Sequence, residues 1–176
     1  MAIALFARVV LAAALVAVWS CGARAEADSV FTSIRPRDCR TPPKEIAAPY
    51  AARDLGVRQC PAPNGWRLLL VSSDANTWID LAGPGVTWSG ERPIVYESPV
   101  GNFPSVGGSS AVEWRRDRRR RPTSLIFRVT AQDPKTLDTH RSILYVVRLQ
   151  PGRACVLGRA ATNAEARSVA DSSKRC

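Results

Sequence analysis

Four cysteines limit this chain more than any other feature. They are Cys39, Cys60, Cys155 and Cys176, and a fifth, Cys21, lies in a short apolar run near the start. That opening, "MAIALFARVVLAAALVAVWSCGARAEA", carries one charge, Arg8, ahead of an apolar stretch from Val9 to Trp19. The stretch is shorter than the roughly 20 residues a membrane-spanning helix needs. It is followed by Ala23-Arg24-Ala25, which has small residues where a signal peptidase requires them. Residues 1–25 therefore read as a removed signal peptide, leaving no transmembrane segment in the mature chain. A rival reading makes Val18-Trp19-Ser20-Cys21 a lipoprotein processing site; it is less favoured because Trp19 is too bulky for that position. Removing the leader turns an odd cysteine count into an even one. An even set in an exported chain, periplasmic or secreted, reads as disulfides. Three pairings are possible. Cys39–Cys60 with Cys155–Cys176 is favoured because each closes a loop of similar, modest length, contributing about 3 kcal/mol apiece.

Oxidised cysteines leave little for other chemistry. His140 is the only histidine, no Cys or His pair has zinc spacing, and no metal or cofactor is expected. A serine hydrolase would have to combine His140 with Ser109 or Ser110, and the G-x-S-x-G elbow is absent. Asp80, Glu91, Glu97 and Glu113 lie in or near predicted strands, but their spacing selects no catalytic pair. No phosphate loop or dinucleotide fingerprint is present. No catalytic residue is assigned, and the chain reads as a non-enzyme.

The mature part, about 150 residues, suits one domain, 26–176, with one core. Its first section, 26–63, is rich in proline (Pro42, Pro43, Pro49) and reads as mostly irregular, with "SVFTSI" a possible strand. Residues 64–176 are more regular. Strands are predicted at Trp66–Ser73, "TWIDLAG", "RPIVYES", "AVEWRR", "TSLIFRVTAQ", "RSILYVVRL" and "ACVLGR". Asn64-Gly65, Asp74-Ala75-Asn76, Gly83-Pro84-Gly85, Asp133-Pro134 and Pro151-Gly152 supply turns. In "TSLIFRVTAQ", Leu125, Phe127 and Val129 share one side, and Ile126, Arg128 and Thr130 the other. The pattern changes at "TNAEARSVADSSKR", where Thr162 and Glu165 are spaced as a capping box and Ala166, Val169 and Ala170 form a small-residue face. The expected fold is α+β: a twisted antiparallel meander with one C-terminal helix, tied by disulfides.

The charge is concentrated. The formal net charge is +10, and removal of Arg8 and Arg24 with the leader leaves +8. Only Lys44, Lys135 and Lys174 of the 25 basic residues are lysine, a bias that GC-rich codon usage can also produce. "EWRRDRRRRP" holds Arg115, Arg116, Arg118, Arg119, Arg120 and Arg121 between two strand-like segments, so the run reads as a solvated hairpin tip. Either it only aids solubility or it is a basic finger for phosphate or carboxylate groups, which arginine grips with two parallel hydrogen bonds. In an exported protein the partner is anionic lipid, lipopolysaccharide, a glycan or an envelope protein. Nucleic acid is excluded by compartment and by the absence of a recognition motif. Trp78 and Trp88 are candidate stacking platforms for sugar rings, against the alternative that they fill the core.

The segments "VEWRRDRRRRPTSLIFRV", "LYVVRLQPGRACVLGRA" and "NAEARSVAD", with "FTSIRPRDC" and Cys60-Pro61, resemble an uncharacterised family of small secreted four-cysteine proteins of alphaproteobacteria. The match covers most of the mature chain. It departs at Arg58, where the family has an aromatic, and in the arginine density of the tip. The resemblance implies export, four cysteines and one domain, and carries no activity with it. The expected function is binding, not catalysis. The alternatives are an envelope glycan hydrolase with carboxylates near exposed tryptophans, and a lysozyme-inhibitor-like protein.

Overall fold

A computed structural model describes residues 28–63, 65–107 and 110–176. The leader, Cys21, Asn64 of the first turn and Ser109 lie outside the described residues. The chain is α+β, with antiparallel strands, a C-terminal helix and two disulfides, Cys39–Cys60 and Cys155–Cys176.

The strands divide into two sheets. In the first, β1 (Asp28–Ser33), β7 (Ala111–Arg116), β8 (Pro122–Gln132), β9 (His140–Gln150) and β10 (Arg153–Ala160) lie in that order, and β6 (Asn102–Ser105) pairs with the far half of β8. In the second, β2 (Gly56–Cys60), β3 (Arg67–Ser72), β4 (Thr77–Gly83) and β5 (Val86–Ser89) form a meander. β5 packs along β10, so the two sheets close on a common core. Leu68, Val71, Ile79 and Leu81 meet Trp114, Leu125, Phe127, Val129, Tyr145 and Val147 there. The period-two pattern of β8 explains its double duty: Leu125, Phe127 and Val129 enter this core, while Ile126 faces the other way. On that outer face α2 (Asn163–Ala170) covers Ile126, Leu144 and Val146 with Ala166 and Ala170. Small side chains allow this close approach, and Gly158 of β10 faces Val169 for the same reason. Thr162 and Glu165 form the expected capping box.

The section 26–63 is far from irregular. Besides β1 and β2 it holds α1 (Lys44–Ala51), within the Cys39–Cys60 loop. Pro49 lies inside this helix. Proline removes one backbone donor, but Ile46 and Tyr50, four apart, still pack on the core, and tertiary burial prevails over propensity. "RPIVYES" also differs from expectation. Pro93 cannot donate to a strand ladder, and residues Glu91–Tyr96 wind into one wide helical turn closed by Glu97 N–H to Arg92 O. The turn drives Ile94 fully into the core, and the Tyr145 hydroxyl donates to Pro93 O.

Candidate functional site

The arginine run sits where the β7–β8 hairpin turns. Asp117 organises that turn. One carboxylate oxygen accepts the N–H groups of Arg119 and Arg121, and the other takes the Arg121 guanidinium at 2.7–2.8 Å. Backbone bonds Asp117 N–H to Arg121 O and Arg120 N–H to Asp117 O close the loop. The hydrogen bonds from the Arg121 backbone and side chain hold the Asp117 carboxyl below the usual aspartate range. Arg120 sits at φ 58°, the left-handed region that a loop of this type reserves for its last residue. Glycine is the residue that fits there without strain. Arg118, Arg119, Arg120 and Arg121 are all exposed.

Arg115 and Arg116 do not belong to this tip. Both lie in β7, where alternation sends Val112 and Trp114 to the core and Glu113 and Arg115 to the face under α2. Arg115 is only 4% exposed. It grips Asp171, just past α2, with two bonds of 3.0 and 2.5 Å, and also donates to Ser29 and Glu113. Glu113 accepts further bonds from Arg167 of α2 and from Ser29. Burial would raise the Glu113 carboxyl, but the bonds from Arg167 and Ser29 and the charges of Arg167 and Arg115 outweigh it, and the group is held low. Arg116 pairs with Asp28.

A groove of about 420 Å³ opens beside the tip. Trp66, Pro84, Pro122, Leu149 and Pro151 make its apolar walls, and Asp117, Arg121, Thr123 and Gln150 supply the polar groups. Trp66, half-buried, is the aromatic side chain in this groove, and it stands just ahead of β3. From sequence, Trp78 and Trp88 are the candidate platforms, against the alternative that they fill the core. Trp78 is buried at 2% exposure and fills the core. Trp88 is half-buried and packs against the same core. The predicted strand begins at Trp66 itself, whereas β3 starts at Arg67, so the place of Trp66 ahead of the strand emerges only from the fold.

The remaining candidates have other roles. Asp80 is buried and accepts bonds from the Tyr50 hydroxyl, the Ser89 hydroxyl and Gly90 N–H. Burial pushes its carboxyl up, against the pull of those bonds. Burial and then the adjacent Asp80 also push the Tyr50 phenol up. The pair moors α1 to β4. Glu91 is paired with Arg53 and Glu97 with Arg92. His140 and Ser110 are exposed. Among the described residues no group of His, Cys, Asp and Glu side chains could hold a metal ion, and no helix is long and apolar enough to cross a membrane. No family model, no curated protein and no solved structure matches the chain.

Proposed function

We propose that this is an exported, non-enzymatic binding protein that engages an acidic glycan or lipopolysaccharide of the cell envelope through the arginine turn and the adjoining Trp66 groove. The reading takes residues 1–25 as a signal peptide, in keeping with the two disulfides. The observation that carries it is Arg120. A residue with a side chain at φ 58° carries left-handed strain of about 1–2 kcal/mol that glycine does not. Here that position holds an arginine flanked by three more, around an aspartate that fixes the loop's shape. Strained residues of this kind concentrate where a side chain is needed for recognition. Four exposed arginine side chains on one turn suit phosphate and carboxylate, and the net charge of +8 left after removal of Arg8 and Arg24 favours encounter with anionic surfaces. The groove supplies what an anion alone does not need: an indole wall for a sugar face and an amide for hydroxyls.

The test replaces Arg118, Arg119, Arg120 and Arg121 with serine in the mature, oxidised protein. Retention on immobilised lipopolysaccharide and on anionic liposomes is then measured at two salt concentrations. Wild-type retention is expected on lipopolysaccharide, weakening as salt rises, and the variant should elute early. Equal retention of the two proteins at low salt would overturn the reading.

A further inference from the structure

Trp66 borders a second concavity as well. This one, about 490 Å³, is lined by Asp38, Arg40, Gln59, Pro61 and Trp66, next to the Cys39–Cys60 bridge. The two concavities come from different parts of the fold. The first is framed by the β7–β8 turn and the end of β9, the second by the segment before α1 and the end of β2. Their chemistry nevertheless matches. Each offers one aspartate, one arginine, one glutamine and proline walls, and the indole lies between them.

We infer that Trp66 divides two subsites of one trough, and that the ligand is an extended acidic saccharide whose chain crosses the indole. The inference rests on the glycan-binding reading above and deepens it. The donor set fits such a ligand. Arginine takes a carboxylate or phosphate, glutamine and aspartate together donate to and accept from ring hydroxyls, and an aromatic wall takes the apolar face of the ring. Each concavity alone falls in the size range of a small-ligand site.

The dividing wall is rigid. Gly83 leaves room for the ring: a Cβ there would lie 2.5 Å from the indole carbons. On another side the ring meets Trp114, at 6.2 Å between centroids and a tilt of 50°. The second subsite is equally fixed. Arg40 and Gln59 face each other across an antiparallel bridge, with reciprocal N–H to O bonds of 2.9 and 2.8 Å, and the buried Cys39 and Cys60 lie one residue away on each side. A chain that fills both sites gains the second contact as an intramolecular event, so length itself should raise affinity.

The experiment titrates the oxidised protein with galacturonic acid and its oligomers of two, four and six rings, by calorimetry. Affinity should rise by about tenfold or more from one ring to four and then level off, as a second subsite is filled. Arg40→Ser and Gln59→Ala, on the far side of the indole from the arginine turn, should remove that gain, so that the four-ring oligomer binds the variants no more tightly than a single ring does. Trp66→Ala should weaken every length; because it also removes packing on Gly83 and Trp114, the two milder variants decide the matter. Affinity that is flat with length, no binding of any oligomer, or Arg40→Ser matching wild type at all lengths would overturn the two-subsite inference. The arginine-turn reading would survive each of these results so long as lipopolysaccharide retention still depends on Arg118–Arg121. It falls only when that dependence is missing.

Discussion

Arg115 and Arg120 are five residues apart in one run of arginines, and the fold uses them in opposite ways. Arg115 lies under α2 with two carboxylates and a hydroxyl around it, and it is cut off from water. Arg120 stands at the top of a turn in solvent, on backbone that favours glycine. The first is needed by the structure. The second sits on the exposed turn beyond the strand's end. A stretch of like residues is therefore not one functional unit. Strand alternation divides it, and the division falls where β7 ends.

The comparison breaks most sharply at Arg115. Arg115→Ala strips one partner from buried Glu113, which keeps Arg167 and Ser29, and from the more exposed Asp171, so the cost should exceed that of a surface pair and fall short of the about 3–5 kcal/mol of a fully buried one. Chemical denaturation should show that loss. Lipopolysaccharide retention of the folded fraction should stay at the wild-type level; a loss of retention without a loss of stability would mean that Arg115 belongs to the binding surface after all.

Acid separates the two regions next. Glu113 is held low in the folded chain, so its stabilisation is complete above the ordinary glutamate range near 4.5 and is lost as pH falls through the lower, folded-state value. Stability of the wild type should fall with acid below that range, and Glu113→Gln should flatten the slope. An unchanged slope in the variant would place the acid sensitivity elsewhere. Asp117 has the same sign of shift but is solvent-facing, so its protonation should loosen the turn with little effect on the global transition.

The smallest effect sharpens the contrast. In Arg120→Gly, relief of left-handed strain worth about 1–2 kcal/mol exceeds glycine's entropy cost of about 0.5–1 kcal/mol. The variant should unfold slightly later and bind more weakly. A gain in stability with unaltered retention would show that the strained arginine serves no ligand.

Part of this contrast lies in the sequence, although the six arginines read there as one solvated tip. Alternation in "AVEWRR" already places Glu113 with Arg115 and Val112 with Trp114, and Arg167 and Asp171 share one face of the predicted helix four residues apart. What alternation cannot supply is the layer that lands on a face. Only the docking of α2 turns the polar side of β7 into an interior. The cystine pairing was favoured on loop length, and the two bridges have that pairing. The segment 26–63 was misread because a proline inside a helix and a helix inside a disulfide loop both defy local propensity, and the contacts of Ile46 and Tyr50 that rescue α1 are long-range. The groove was invisible for a related reason. Trp66, Arg121 and Gln150 come from three separate parts of the chain, and no spacing links them.

β8 runs unbroken from Pro122, beside the arginine turn, to Gln132, whose side chain donates to Leu137 O and whose backbone pairs with Asn102. Leu137 and Phe103 flank that far end, both exposed and both at positive φ. An 11-residue strand spans about 34 Å, so the arginine turn and the two exposed apolar side chains lie at opposite ends of β8. With the arginine turn on a polyanionic layer, as proposed, Leu137 and Phe103 would lie at the end of the strand farthest from that contact.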